Sequence, residues 1–384
     1  MGVDRSRSGP SRGVALGTLS DCQIRGLVEE GSVLSDAPWG ARQVQPSSLD
    51  LRLGPTAYRL RSSFLPLSTP VSDILQDLSL YSVDLRTSAH LERGAVYLVP
   101  LMESLNLPPG LSAKANPKSS TGRLDVFTRV ITETGDRFDD ISSGYSGRLY
   151  LEVFSRSFSL RVSQGLALCQ VRFFEKRHFL SEETLLDRHR QSPLFFSEGG
   201  TCGGNPYDRI TDGSLYLGVK LTGMPIIGFR ARHDAGILSL VPGDQQKATE
   251  FWEAIPSPAR GELVLEPEKF YLFASSAKIR VPIDLAAEML PFDAAAGEIR
   301  THYAGFFDPG FGMSGEGARG VLEVRPHDVP FRIVDGQPVF KLRYEKMERE
   351  PDLPYGAAIG SNYTHQGLNL SRYFINDFFE QVPL

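Results

Sequence analysis

Cysteine is scarce in this 384-residue chain. The three present, Cys22, Cys169 and Cys202, are scattered, odd in number and never spaced Cys-x-x-Cys. The sequence therefore spells out neither a disulfide framework nor a thiolate metal cage, and a reducing compartment, the cytoplasm, is expected. Long apolar runs are missing too: no stretch approaches the roughly 18 residues that a helix needs to cross a bilayer. The opening, Met1 to Arg12, carries Arg5, Arg7 and Arg12 but no apolar segment of the signal-peptide kind. Residues 1–14 are expected to be a disordered arm, and no membrane contact is expected. Nor is positive charge in excess. With 41 Lys and Arg against 46 Asp and Glu the formal net charge is −5, which argues against nucleic acid as a partner but leaves room for a local basic site.

What is present is an ordinary globular composition, 41% hydrophobic and 23% charged, in a chain longer than a single core usually grows. Two domains are expected, 15–187 and 207–384. The linker between them, 188–206, holds Ser192-Pro193, Gly199-Gly200 and Gly203-Gly204. Short alternating runs broken by Gly, Pro and Ser, such as Leu49 to Leu53, Ala95 to Val99 and Leu149 to Phe154, indicate a mainly β fold of many short strands. Apolar residues at helical spacing behind Ser20-Asp21 predict a short helix ending near Gly31. Asp73 to Leu80 reads as a helical insertion.

The pattern then repeats. Leu105 to Ala113 is echoed by Ile279 to Ala287, and Leu151-Glu152-Val153 by Leu322-Glu323-Val324. Gly165 and Val171-Arg172-Phe173 return as Gly336 and Leu342-Arg343-Tyr344, and Ser48 to Leu51 has a degraded partner in Ser214 to Leu217. Matches that keep their order imply two copies of one β fold.

Chemistry concentrates in Lys118-Ser119-Ser120-Thr121-Gly122-Arg123. Adjacent hydroxyls and an arginine around one glycine suit an anion, because glycine lets backbone N–H groups approach while a guanidinium grips phosphate oxygens in a fork. Taken with Gln45-Pro46-Ser47-Ser48-Leu49-Asp50 upstream, and with Leu151-Glu152-Val153, Gln164-Gly165 and Gln170 to Phe173 downstream, this stretch resembles the dCTP deaminase and dUTPase superfamily. Within it the chain is similar to a long, two-domain dCTP deaminase. The resemblance is specific over about residues 17–175 and weaker to the C-terminus.

That resemblance implies a mainly β fold, two tandem dUTPase-like distorted β-barrels (β-clip) with a few short helices, in a homo-oligomer. It implies hydrolysis of dCTP to dUTP and ammonia, supplying dUTP and dUMP for thymidylate synthesis, with dTTP and dUTP as inhibitors. Zinc-dependent base deaminases need His-x-Glu followed by Pro-Cys-x-x-Cys. His90-Leu91-Glu92 fits the first half and the cysteine half is missing, so water would be activated without zinc. Mg²⁺ would travel with the triphosphate.

Site residues follow from the same resemblance. Ser119 and Arg123 match the family's phosphate-contacting, water-stabilising pair, with Lys118, Ser120, Thr121 and Gly122 completing the nucleotide-binding motif. Asp308 matches the acceptor for the sugar 3′-hydroxyl, Phe311 the aromatic packed on deoxyribose, and Ala304 the residue whose carbonyl holds the water. Glu323 and Glu152 both match the catalytic glutamate. Tyr145, Tyr355, Tyr363 and Gln366 are further nucleotide-binding candidates. Tyr355 to Leu370 resembles the tail that closes over the nucleotide, although a plain polar terminus reads the same way.

The copies differ where it matters. Opposite Ser119 to Arg123 the second copy has Asp293-Ala294-Ala295-Ala296-Gly297, a poor phosphate grip. Opposite the hairpin Thr301 to Gly312 the first copy has Phe138 to Tyr145, with no proline behind its aspartates. Single-domain relatives build each site from neighbouring subunits. Here the expectation is one composite site, with the phosphate grip from the first copy, the nucleoside hairpin from the second, and Glu323 favoured as the base. Two alternatives stay open: a dUTP pyrophosphatase, alone or combined with deamination, in which Asp308 or Asp140 activates water, and a nucleotide-binding protein without turnover.

Overall fold

The computed structural model describes residues 16–196, 209–291, 299–301, 305–356 and 367–378. Strands dominate, and the described helices are α1 (Asp21–Glu29), α2 (Val71–Leu78), α3 (Ser119–Gly122) and α4 (Glu182–Gln191), beside one 3₁₀ turn at Ala248–Glu250. The helix expected behind Ser20-Asp21 is α1. Its N-cap is Ser20, whose backbone N–H donates to the Gln23 side chain at 3.0 Å.

The internal repeat is visible in the sheets. In the first copy the order runs Ser79–Asp84, Thr56–Leu60, Val96–Asn106, Ser146–Ser155, Val126–Thr132, and Val33–Ser35 also pairs with Val96–Asn106. The second copy repeats this order as Trp252–Pro256, Ile226–Ala231, Tyr271–Ile279, Ala318–Pro326, Ile299–Thr301, and Phe195–Phe196 also pairs with Tyr271–Ile279. A second sheet in each copy matches as well. Leu49–Arg52, Ala167–Phe174, Ser112–Pro117 and Asp140–Ile141 correspond to Ser214–Gly218, Pro338–Lys346, Leu285–Pro291 and Phe306–Phe307.

Each copy opens with a helix before its first paired strand, α1 in one and α4 in the other. Position 188, drawn above as the start of a linker, therefore lies inside α4, and 188–206 also takes in the strand Phe195–Phe196. Proline and glycine content concealed this, because α4 is a short segment that runs directly into Ser192-Pro193 and the glycines beyond. Residues 197–208 lie outside the described residues.

Period-two alternation decides which way the two glutamates face. Along Ser146–Ser155, Leu149, Leu151 and Val153 enter the main core, whereas Tyr150 lies on the other face beneath α2, with Leu60, Val71, Leu98 and Ile131. Along Ala318–Pro326, Leu322 and Val324 enter the second copy's own core, while Val321 joins the main core built chiefly by the first copy. Glu323 and Arg325 share the Val321 face. The insertion carrying α2 thus covers in the first copy the face that, in the second, is covered by its sister.

The copies are riveted together. Arg172, 1% exposed, lies on the first copy's Ala167–Phe174 strand. It donates to the Ala287 carbonyl at 3.0 Å, the Phe307 carbonyl at 2.9 Å and Glu345 at 3.1 Å, all in the second copy, and its guanidinium lies 4.0 Å over the Phe306 ring. Burial alone would raise the Glu345 pKa, but Arg177 and Arg172 together hold it below its ordinary value. Arg172→Met is expected to cost about 3 kcal/mol, the low end for breaking a buried ion pair because Arg177 remains. A fall in the urea midpoint at unchanged m-value would register it.

Candidate active site

The second copy's Glu323 is 3% exposed, and its Oε2 finds no hydrogen-bond partner among the described residues. Burial drives its pKa well above the usual carboxylate value, the Arg123 charge opposes this and the Asp125 charge adds to it. Both of those groups come from the first copy, at and just beyond α3. Two residues along the Glu323 strand, Arg325 makes a buried ion pair with the same Asp125, and Ser157 donates to Asp125 at 2.7 Å. The turn after the phosphate motif is thereby locked to the glutamate strand. Asp125 holds φ at +58°, a left-handed conformation that side chains rarely adopt without such anchoring.

The motif itself folds as one helical turn. Lys118 is the N-cap of α3, Ser119 is half-buried at its start, and Ser120, Thr121, Gly122 and Arg123 are buried. Lys118 is ion-paired to Asp50. Burial raises the Asp50 pKa, Lys118 and Arg372 oppose this, and Asp308 adds to it, so these four groups share one electrostatic environment. Ser47, three residues before Asp50, donates to Asp308 at 2.6 Å, and Arg172 reaches the same carboxylate oxygen at 3.4 Å. Asn116 closes the junction by accepting from the Gly305 N–H at 2.9 Å.

Asp308 to Gly312 forms a tight turn against the second copy's core. Phe311 is 5% exposed, edge-on to Phe307 at 5.0 Å and 5.5 Å from the Tyr355 ring. Glycine is required at position 312, where φ is +69° and a Cβ would stand 2.1 Å from the Ile279 carbonyl oxygen. Beyond the hairpin the chain returns to the phosphate motif. Arg123 donates to the Asn369 carbonyl at 2.8 Å, and Ser371 donates to the Ser120 carbonyl at 2.7 Å. Leu370, Tyr373 and Phe374 are buried in the main core. This part of the tail is a packed element seated on the motif.

The arrangement sets cationic and hydroxyl groups from one copy beside a buried, partly unpartnered carboxyl and an aspartate-bearing hairpin from the other. Such a set of groups can hold an anion and move a proton. Among the described residues, the groups of three His, Cys, Asp or Glu side chains near enough to share an ion, Asp21-Cys22-Asp352 and Glu268-His327-Asp328, contain none of the residues of this site.

The chain is also similar to known proteins in sequence and in structure. Residues 15–177 match the model of the 2′-deoxycytidine 5′-triphosphate deaminase (DCD) N-terminal domain, and residues 181–374 that of its C-terminal domain. The chain belongs to the dCTP deaminase family. A solved 2′-deoxycytidine 5′-triphosphate deaminase from Agrobacterium tumefaciens is similar over 88% of this chain and 99% of its own, with 45% identity and a TM-score of 0.81. Curated relatives named "dCTP deaminase, dUMP-forming" align with part of the chain. The protein of Dictyoglomus thermophilum is 28% identical over 162 residues, 41% of this chain and 79% of its own. That of Persephonella marina is 31% identical over 156 residues, 40% of this chain and 82% of its own.

In this dCTP deaminase family member the structure brings together Lys118, Ser119, Ser120, Thr121, Gly122, Arg123, Asp308 and Glu323, with Phe311 and Tyr355 packed behind the hairpin. It does not bring Glu152 or Tyr145 there. Glu152 lies beneath the first copy's insertion, facing Arg129 at 3.4 Å. The Tyr145 hydroxyl accepts from Glu133 N–H at 3.0 Å and donates to the Arg148 carbonyl, which ties down the first copy's own turn. Ala304, Tyr363 and Gln366 lie outside the described residues, as does Asp293 to Gly297. The sequence reading missed Ser47, Asp50, Asn116, Asp125, Arg172 and Arg325 as members of the junction. Ser47, Asp50 and Arg172 stood inside motifs that carried the resemblance. Asp125 and Arg325 had no signal, since their partnership spans 200 residues.

Proposed function

We propose that this chain deaminates dCTP at the junction of its two copies, with Glu323 as the base. Water attacks C4 of cytosine and ammonia leaves from the same carbon, giving dUTP, which would serve thymidylate synthesis. Glu323 takes one proton from the attacking water and delivers it to N3, then carries the remaining hydroxyl proton to the departing amine, so that C4=O forms as the C4–N bond breaks. Ser119 and Arg123 hold the phosphates and steady the water. Asp308 accepts from the sugar 3′-hydroxyl, and Phe311 packs where a 2′-hydroxyl would clash. The observation that carries this reading is the buried Glu323 carboxyl, one oxygen unpartnered, within the field of Arg123 from the other copy.

The cations and hydroxyls of α3 are a donor set suited to phosphate oxygens, and a Mg²⁺ would arrive on the nucleotide's own phosphates. That ion would screen the triphosphate charge. Zinc has no part in the proposal, so activity lost to a chelator should return with Mg²⁺ alone.

Incubation with dCTP and with dUTP separately, followed by assays for ammonia and pyrophosphate, tests the function. Ammonia from dCTP without pyrophosphate is the expected result. Pyrophosphate released along with ammonia would favour a dUMP-forming enzyme, a second reading motivated by the names of the curated relatives. Neither product from dCTP would overturn both readings.

The acid limb of the pH profile follows from the charges around Glu323. A base must be ionised, so kcat/KM should rise with pH through a midpoint above the ordinary carboxylate range, because burial raises this pKa. Asp125 adds to that rise. Asp125→Asn removes the added charge and should move the limb to lower pH, which a kcat/KM profile between about pH 5 and 9 would detect.

A further inference from the structure

The first copy's glutamate has a pocket of its own. Glu152 is 3% exposed, and its Oε2 has no partner among the described residues. Directly opposite it on the neighbouring strand stands Arg129, and opposite Phe154 stands Phe127. These four side chains share one sheet face. With Ser63 and Arg156 they line a pocket of about 220 Å³. The two phenyl rings lie 6.4 Å apart, Arg129 is 38% exposed at the mouth, and Arg156 is ion-paired to Glu268 of the second copy.

We propose that this pocket is a second, non-catalytic nucleotide site, which takes the base of a pyrimidine nucleoside monophosphate against Glu152 and its phosphate on Arg129 and Arg156. Chemistry and size both support that class. A carboxyl in its acid form offers one donor and one acceptor, complementary to the ring nitrogen and exocyclic group of cytosine or uracil. Burial raises the Glu152 pKa, while Ser63 and Arg129 oppose the shift, and a base that donates and accepts at once would select the protonated carboxyl on binding. Phe127 and Phe154, tilted 47° to one another, give the pocket apolar ring surface against which a planar base can pack. The volume falls below the roughly 300 Å³ at which enclosing ligand pockets begin, so the base fits inside with sugar and phosphate at the mouth. The cations among the pocket's lining residues are Arg129 and Arg156, a pair that matches one phosphate better than three. The inference does not depend on which reaction the composite site performs.

Calorimetric titration of the full chain with dCMP and with dUMP tests the proposal. Saturable binding of at least one is expected, unchanged within about twofold in Arg123→Ala, which disables only the composite site. Glu152→Leu and Arg129→Met should each weaken it by about tenfold or more, the worth of a hydrogen bond to a charged or buried group. Glu152→Gln, whose amide offers the same donor and acceptor, should stay within about threefold of wild type. It also guards against a folding defect in the leucine variant. The proposal is overturned by the absence of saturable binding up to about 1 mM, barely 4 kcal/mol of affinity. Indifference to both Glu152→Leu and Arg129→Met, or loss of binding in Glu152→Gln, overturns it too. Loss of binding in Arg123→Ala would place the nucleotide in the composite site and overturn it as well. Ammonia release from dCTP by the same wild-type preparation reports on the composite site separately.

Discussion

Glu323→Gln is expected to abolish deamination, with kcat reduced by about 10³-fold or more, while dCTP still binds. General base catalysis contributes about 10²–10⁴-fold, and here the same carboxyl serves as proton shuttle to N3 and to the leaving amine, so its loss should fall in the upper half of that range. The amide keeps the shape of the side chain and cannot take a proton. Because Glu323 is buried, with Oε2 unpartnered and no ion pair to another of the described residues, the fold should be unaffected. Single-turnover assays and equilibrium binding would separate the two effects. Glu152→Gln should leave kcat near the wild-type value, since Glu152 lies under the α2 insertion and faces Arg129. Reversed outcomes, with Glu152→Gln inactive and Glu323→Gln active, would move the site into the first copy.

The second large effect is expected from Arg123→Ala, a fall in kcat/KM of about 10²-fold, the magnitude associated with one preorganised donor to developing charge. Loss of a forked guanidinium weakens the hold on phosphate. A further consequence follows from position. Arg123 opposes the rise in the Glu323 pKa, so its removal should push the acid limb to higher pH, opposite in sign to Asp125→Asn. Arg123 also donates to the Asn369 carbonyl. The alanine variant therefore loosens the tail segment around Ser371, and faster hydrogen exchange of 367–378 should accompany the kinetic loss. Unchanged kinetics in this variant would remove the phosphate motif from the site.

Much of the fold was legible because strand sequences report their own alternation. Leu151-Glu152-Val153 and Leu322-Glu323-Val324 read as equivalent strands, and they occupy equivalent places in sheets of the same order. The short helix after Ser20 and the helical insertion near Asp73 announce themselves through a cap and through local spacing. The start of the second copy was harder to see, since α4 runs directly into Ser192-Pro193 and the glycines that mark a loop. At the site, short motifs rich in hydroxyls, glycine and one arginine could be recognised locally. The contacts that join them could not. Ser47 with Asp308, Asn116 with Gly305, and Asp125 with Arg325 are partnerships between residues 189 or more positions apart, and a single sequence carries no trace of such pairing. Asp140, weighed as a water-activating residue, illustrates the same limit. Its place in the repeat matches the Asp308 hairpin, yet it lies 45% exposed and pairs with Lys114 at 3.1 Å, whereas Asp308 is gathered between Ser47 and Arg172.

The most direct measurement is complementation between two inactive chains, Arg123→Ala and Glu323→Gln, co-expressed and purified together through different tags. If the phosphate grip and the base of each site come from the same chain, no site in the mixture holds both intact, and dCTP turnover should stay at the level of the weaker variants alone. Recovery to a substantial fraction of wild-type activity would mean that Arg123 of one chain serves Glu323 of another, and would contradict a composite site closed within a single chain.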